Sequence, residues 1–350
     1  MKMSQRRLRG GLIAMAASAL VLAGCAGQPT RSASQNQPDA PPVAVEADGE
    51  EIASNARFVL YRVAEGDTLA SIATRILGDA DLAWRIADYN EVKRPTAGQI
   101  LAIPRTDLNP LGVSGSGFQT VPILCYHRFG SGKSKMIVSE SRFAEQMAWL
   151  ARNDYRVIPL ASLEAFLDGK RALPERAVVI TIDDGYKTVY QHAYPILRKY
   201  GFPATVFLYT DFVGAGDALT WQQMKEMTDS GLVDIQAHSR THSNLIERKR
   251  GEDEAAYQAR VRDEVSAPRA AIEARLPIKV RRYAYPYGDA NQRVLDELEQ
   301  NRYDLGLTVN PGGNGFFAEK YMLHRTMIYG DHSLAAFKAR VETRRPLDNP

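Results

Sequence analysis

Ala177-Val178-Val179-Ile180-Thr181-Ile182 is a short apolar run, and it ends in Asp183-Asp184-Gly185-Tyr186. Similar apolar runs recur at 121–126, 204–209, 233–237, 282–285 and 305–309, and each reads as a strand. Between and around them, helical patterns fall near 141–152, 187–200, 221–230, 254–275, 290–301 and 333–343. Strand and helix in alternation imply a parallel sheet with helices outside. The residues able to do chemistry follow the C-terminal ends of these strands, the face on which a barrel carries its active site. The fold class expected for residues 120–345 is therefore α/β, a distorted (β/α) barrel.

A second string, His238-Ser239-Arg240-Thr241-His242, follows the run Val233-Asp234-Ile235-Gln236-Ala237. Asp184, His238 and His242 make a three-ligand set for a divalent transition metal, with Zn2+ the first choice. Three protein ligands leave a position open for water, as catalytic sites do. His238 and His242 would share one face if their segment were helical. Asp183 is then free to act as a base. A lone His-x-x-x-His is more often surface or core, and a lone Asp-Asp-Gly more often a turn. Both at strand ends of one domain carry more weight.

The N-terminal third has a different organisation. Of 44 basic residues, Lys2, Arg6, Arg7 and Arg9 fall in the first 24, which hold no acid. Setting them aside leaves 40 basic against 41 acidic residues, close to neutral. Nucleic-acid binding has no electrostatic support in that balance. The basic start, the apolar stretch 12–22 and Ala23-Gly24-Cys25 have the layout of a secretory signal, residues 1–24. Residues 25–57, rich in Ala, Pro, Ser, Gln and acids, read as a disordered tether. Residues 58–105 read as a compact βααβ unit, with Asp67 or Thr68 able to cap its first helix. A Gly/Ser linker is expected over 106–119. Cys125, inside an apolar run, reads as a buried core thiol.

Three resemblances sharpen this reading. Leu22-Ala23-Gly24-Cys25 resembles a bacterial lipobox, which implies a lipid anchor at Cys25. With Ala26 rather than Asp after the cysteine, the anchor would lie at the outer membrane, facing the periplasm. Tyr61-Arg62-Val63, Gly66-Asp67-Thr68-Leu69, Ile72-Ala73, Ile86-Ala87, Asn90 and Gly98-Gln99-Ile100-Leu101-Ala102-Ile103-Pro104 resemble a LysM domain. That family binds N-acetylglucosamine-containing glycans, typically peptidoglycan or chitin, so the module favours wall glycan, and the loops after Gly66 and over 90–98 would carry the contact. Asp183-Asp184-Gly185, His238-Ser239-Arg240-Thr241-His242 and Tyr285-Pro286-Tyr287-Gly288 resemble the first three motifs of the polysaccharide deacetylase (NodB-homology) family.

The last resemblance implies roles. Asp183 would be the general base, Asp184, His238 and His242 the metal ligands, and Tyr287 the donor of a backbone N–H to the oxyanion. Its general acid is a histidine. Leu323-His324-Arg325 lies near the family's late Leu-x-His motif, with the histidine displaced by one. His127, in Cys125-Tyr126-His127-Arg128, resembles the early acid of the poly-N-acetylglucosamine branch and is favoured. Ala284-Tyr285-Pro286-Tyr287-Gly288 resembles that branch too. The family's fourth motif has no clear match; Asn310 lies nearby, and the group that orients Asp183 stays unassigned. His192 and His332, and Trp149 and Trp221, read as packing residues. The expected function is hydrolysis of N-acetyl groups on a glycan, peptidoglycan or poly-N-acetylglucosamine. The alternatives are an O-acetyl esterase and a non-catalytic wall-binding lipoprotein.

Overall fold

The computed structural model describes residues 49–347. The leader, Cys25 and the tether up to residue 48 lie outside the described residues. No helix among the described residues is long and apolar enough to cross a membrane.

Six strands form a parallel ladder in the spatial order Leu305–Leu307, Arg282–Ala284, Val233–Ala237, Ala204–Leu208, Ala177–Ile182, Val121–Tyr126. The two strands Val121–Tyr126 and Ala177–Ile182 are buried at every position. That is why they read as continuous apolar runs rather than alternating ones. The sheet curls until its edges approach, and residues 323–328 close the seam. Leu323 bridges Leu307, while Thr326–Met327 pairs in parallel with Leu124 and Cys125. The product is the distorted α/β barrel expected from the sequence.

Side-chain alternation then decides what faces inward. Val121, Ile123, Val179, Phe207, Ala284, Leu305, Leu307 and Leu323 fill the interior. The intervening residues Leu124, Tyr126, Val178, Ile180, Ile182, Val206 and Leu208 pack outward against helices such as Glu140–Arg152 and Tyr194–Tyr200. Register pairs Ile123 with Val179 and Cys125 with Thr181. Continued one step upward, the same two inward columns end in His127 and Asp183 at the C-terminal mouth.

The small unit is a sheet of Glu50–Ser54, Phe58–Arg62 and Ile100–Pro104 with helices Leu69–Leu77 and Ala83–Asn90. Its core is Val59, Tyr61, Val63, Ile72, Ala73, Ile86, Leu101 and Ile103. Thr68, not Asp67, caps the first helix, in a reciprocal box with Ser71. Asp67 instead accepts from the Ala64 N–H at 3.0 Å and the Tyr61 hydroxyl at 2.6 Å. Asn90 exchanges hydrogen bonds with both backbone groups of Ala102, fastening the second helix to the sheet.

Three expectations need correction. Residues 50–54 are a strand rather than tether. All five side chains are exposed, so the pairing with Phe58–Arg62 rests on backbone bonds that leave no apolar pattern to read. The 106–119 stretch is built into the fold: Val113–Ser114 and Gly117–Gln119 form a hairpin that takes Arg344–Pro346 as a third strand. The helix expected over 187–200 opens with a π turn, Val189–Ala193, before Tyr194–Tyr200. Pro195 lacks the N–H that an α turn would require there.

The small unit meets the barrel at the N-terminal ends of its strands. Arg85 pairs with Asp107, and the other oxygen of Asp107 accepts from the Ala172 N–H at 3.0 Å. Asp88 accepts from the Glu175 N–H at 3.2 Å, and Lys93 pairs with Asp154 at 2.5 Å.

Candidate active site

At the opposite end of the barrel the chain turns sharply after the strands Ala177–Ile182, Val233–Ala237 and Arg282–Ala284. Asp184 (φ 74°), Ser239 (φ 89°), His242 (φ 61°) and Tyr287 (φ 62°) all hold left-handed backbone. Such conformations are costly for residues with a Cβ and cluster where function demands a geometry. Gly185 (φ 85°) has no room for a side chain, since a Cβ would stand 2.4 Å from Leu208 Cδ1.

These turns aim the predicted ligands at one point. Ligand atoms of Asp184, His238 and His242 lie within 4.8 Å of one another. Nε2 of His242 and Nε2 of His238 stand 3.3 and 3.6 Å from Asp184 Oδ1, which is buried and takes no hydrogen bond. His238 Nδ1 is 2.8 Å from the Ala284 carbonyl oxygen. A carbonyl can only accept, so Nδ1 carries the proton, and the lone pair on Nε2 of the neutral ring faces the carboxylate with no proton between them. Burial holds the His238 pKa below its usual value and favours that neutral form. A ring lone pair facing an orphaned carboxylate oxygen is the arrangement a cation satisfies, and with His242 Nε2 at the same oxygen these residues fit a divalent metal.

The His238-x-x-x-His242 segment is not helical, contrary to the face-sharing condition read from its spacing. A buried carboxylate shapes it instead. Glu264, on the helix Glu254–Glu273, accepts from the N–H groups of Arg240 and Thr241 at 2.9 and 2.8 Å and from the Ser243 hydroxyl at 2.9 Å. The Thr241 hydroxyl also donates to it. His242 N–H donates to Ser239 Oγ at 2.8 Å, which completes the loop.

Asp183 lies one step deeper. Arg325 holds it with two nearly equal hydrogen bonds, and the arginine in turn donates to the Thr308 carbonyl through Nε at 2.8 Å. Arg325 Nη1 also lies 3.3 Å from the Thr181 hydroxyl. Burial opposes ionisation of Asp183, but the Arg325 guanidinium outweighs it and holds the carboxyl well below the usual range. Burial alone would lower the pKa of Arg325, yet the adjacent Asp183 raises it. Cys125, read from sequence as a core thiol, donates to Asp183 Oδ2 at 3.4 Å. A ring nitrogen of His127, Cys125 Sγ and an Asp183 oxygen lie within 4.8 Å of one another.

Tyr287 reaches the rim. Its ring meets that of His242 edge-on at 4.9 Å and is 60% exposed, and its backbone N–H makes no hydrogen bond among the described residues. Tyr209 flanks His242 on another side at 5.3 Å, with burial pushing its phenol pKa up to about 12.

Asp183, Asp184, His127, His238, His242 and Tyr287 thus gather at one mouth, while His324 stands apart from them. It is exposed, its Nδ1 lies against Gly312, and its backbone bonds to Asn314. Leu323 and Arg325 on either side of it turn inward, so alternation sends His324 out. Arg325, Glu264 and Cys125 are the functional neighbours not assigned from sequence. Only the inward column of alternate residues could have pointed to Cys125, and nothing local could have pointed to Glu264. His192 pairs with Glu140 at 2.8 Å, and His332 accepts from the Tyr329 N–H at 3.2 Å; neither belongs to the Asp184 or the Asp183 cluster.

A curled α/β barrel with a carboxylate pair and two histidines at its C-terminal mouth defines the class as a glycan deacetylase. Comparison with known proteins agrees. The polysaccharide deacetylase family model matches residues 170–306, and the LysM domain model matches residues 61–104. YxkH of Bacillus subtilis (strain 168), named as a polysaccharide deacetylase, is 30% identical over 257 residues, 73% of this chain and 88% of its own. The poly-beta-1,6-N-acetyl-D-glucosamine N-deacetylase of Escherichia coli (strain K12) is 28% identical over 243 residues, 59% of this chain and 36% of its own. The Streptococcus pyogenes deacetylase PplD, solved in complex with acetate, superposes with a TM-score of 0.59 at 25% identity, covering 65% of this chain and 100% of that one. The chain belongs to the polysaccharide deacetylase family and carries a LysM domain ahead of its catalytic barrel.

Proposed function

We propose that this protein removes N-acetyl groups from an N-acetylglucosamine polymer of the cell envelope, in a metal-dependent hydrolysis. The observation that carries the proposal is the placing of His127 beside Asp183, next to the Asp184, His238 and His242 set. A departing amine needs a proton, because an amide anion is too poor a leaving group, whereas an ester alcohol makes a weaker demand. A histidine in that place therefore favours N-acetyl over O-acetyl substrates. The Escherichia coli relative's name supplies the polymer class.

Asp184, His238 and His242 would hold the divalent metal, zinc or another transition ion. Bound there, it would polarise the acetyl carbonyl and make a water more acidic. Asp183, kept ionised and fixed in orientation by Arg325, takes a proton from the attacking water. The same arginine weakens Asp183 as a base, which suits a water already acidified. The free Tyr287 N–H donates to the developing oxyanion, a contribution of about 10²-fold or more for one such donor. His127 hands a proton to the leaving nitrogen as the C–N bond breaks, giving acetate and a glucosamine unit.

The anchoring is part of the proposal. Cys25 would carry lipid and hold the protein at the outer membrane, facing the periplasm, with LysM bound to N-acetylglucosamine glycan. Acetate release by the purified protein with added zinc, run in parallel on peptidoglycan and on poly-β-1,6-N-acetylglucosamine, tests the activity. Release that disappears in Asp183→Asn is the expected outcome. No release from either polymer would overturn the reading.

A further inference from the structure

We infer that the LysM module and the catalytic mouth hold two different glycan chains, so that the protein stays on a wall glycan while it deacetylates a separate polymer. The inference rests on the deacetylase reading above and concerns which chain each end takes.

The module's contacts with the barrel fall at one end of it. Ala172 and Glu175, which donate to Asp107 and Asp88, directly precede the strand Ala177–Ile182. Asp154, the partner of Lys93, precedes Arg156–Val157, and Arg156 pairs with Ala177 at the start of that strand. Arg171, one residue before Ala172, lies 3.8 Å from Asp79. The Arg85–Asp107 pair is only 12% and 14% exposed, so the junction is a packed contact and not a loose hinge.

The reacting groups sit at the other end of the same strand. Ala177 and Asp183 are six residues apart along it, roughly 20 Å at about 3.3 Å per residue. The barrel between them is filled by Ile123, Val179, Phe207, Ala284, Leu305 and Leu307, so no glycan passes through. One of the two candidate glycan loops of the module, residues 90–98, contains Lys93 and is therefore tied to the N-terminal end. A chain lying in that loop would have to bend back along the flank of the barrel before one of its acetyl groups reached Asp183.

This placement accommodates two substrate signals that conflict if a single chain is assumed. The module points to wall glycan and the early histidine points to poly-N-acetylglucosamine. Set at opposite ends, they need not describe one polymer.

The test uses the purified chain bound to washed peptidoglycan sacculi and offered soluble β-1,6-linked N-acetylglucosamine oligomers. Acetate released from sacculi alone is subtracted. The expected result is that the protein pellets with sacculi, that the oligomer does not elute it, and that kcat/KM on the oligomer is unchanged between bound and free protein. A KM that climbs with sacculus concentration, elution by the oligomer, or failure to pellet would overturn the inference. Absence of acetate from every polymer while the protein still pellets would instead strike down the deacetylase reading, and this inference with it.

Discussion

Arg325 grips Asp183 with both terminal nitrogens, Nη1 to Oδ1 at 2.7 Å and Nη2 to Oδ2 at 2.8 Å, and both side chains are buried. The arginine is the largest favourable influence on the Asp183 charge. Without it, burial dominates and the carboxyl pKa rises. Arg325→Met should therefore move the acid limb of the kcat/KM profile to higher pH. Arg325→Lys should move it less, because a charge remains while the two-pronged grip is lost. An acid limb that stays in place in Arg325→Met would remove Arg325 from the role of positioning the base.

Asp183→Asn keeps the shape of the site and removes the proposed base. Loss of a general base costs about 10²- to 10⁴-fold in rate. Metal binding should persist, because Asp184, His238 and His242 are untouched; equilibrium dialysis would show it. The substitution also leaves Arg325 buried without a counter-charge, and breaking a buried pair costs about 3–5 kcal/mol. Its urea midpoint should fall accordingly. Loss of metal from this variant would overturn the division between base and ligands.

The same pair sets a dependence of stability on pH. Asp183 is depressed in the folded protein, so its contribution is complete above the ordinary carboxylate value near 3.8 and is lost as pH falls toward the folded value. In that acid window the unfolded chain binds a proton that the folded chain refuses. Urea titrations of metal-free protein should show the midpoint falling below about pH 4. In Arg325→Met the carboxyl is raised instead, so mild acidification should stabilise that variant. Parallel curves for the two proteins would count against the pair.

The sequence made much of this site readable, for a physical reason. A parallel barrel puts chemistry directly after its strands, so Asp183-Asp184 after Ile182 and His238 after Ala237 could be placed by proximity to an apolar run. His127 follows Tyr126 in the same way. What stayed hidden acts across the fold. Arg325 is 142 residues from Asp183 and lies in the segment that closes the seam, where too few apolar residues mark a strand. Glu264 lies mid-helix, where one acid among many looks like a solvated face until its four bonds to residues 240–243 are seen. The strand at Glu50–Ser54 has no buried side chain and so left no trace in the pattern.

Glu264 should therefore matter to metal affinity without touching the metal. It fixes the loop between His238 and His242, and groups that orient metal ligands typically contribute about 10- to 100-fold in affinity. Glu264→Gln keeps one acceptor oxygen and puts an amide where the second stood. Dialysis against a zinc buffer should show weaker binding, with activity restored at higher zinc. A loss of activity that zinc does not rescue would mean the residue serves stability alone.

The two candidate acids can be separated by one comparison. His127 ends the inward column beside that of Asp183, with a ring nitrogen within 4.8 Å of the Asp183 carboxylate, whereas His324 is exposed against Gly312 and faces away. A group that protonates the leaving nitrogen must come within hydrogen-bond reach of it, and only the first position allows that. His127→Ala should lose about 10²- to 10⁴-fold in kcat on an N-acetyl substrate, the usual contribution of such an acid. On an activated aryl acetate, whose leaving group needs no proton, the same variant should lose far less. His324→Ala should match the parent protein on both. Equal losses in His127→Ala on the amide and the activated ester would show that His127 positions groups rather than donating a proton, and a large loss in His324→Ala would require the late histidine to reach the mouth by a route the fold does not provide.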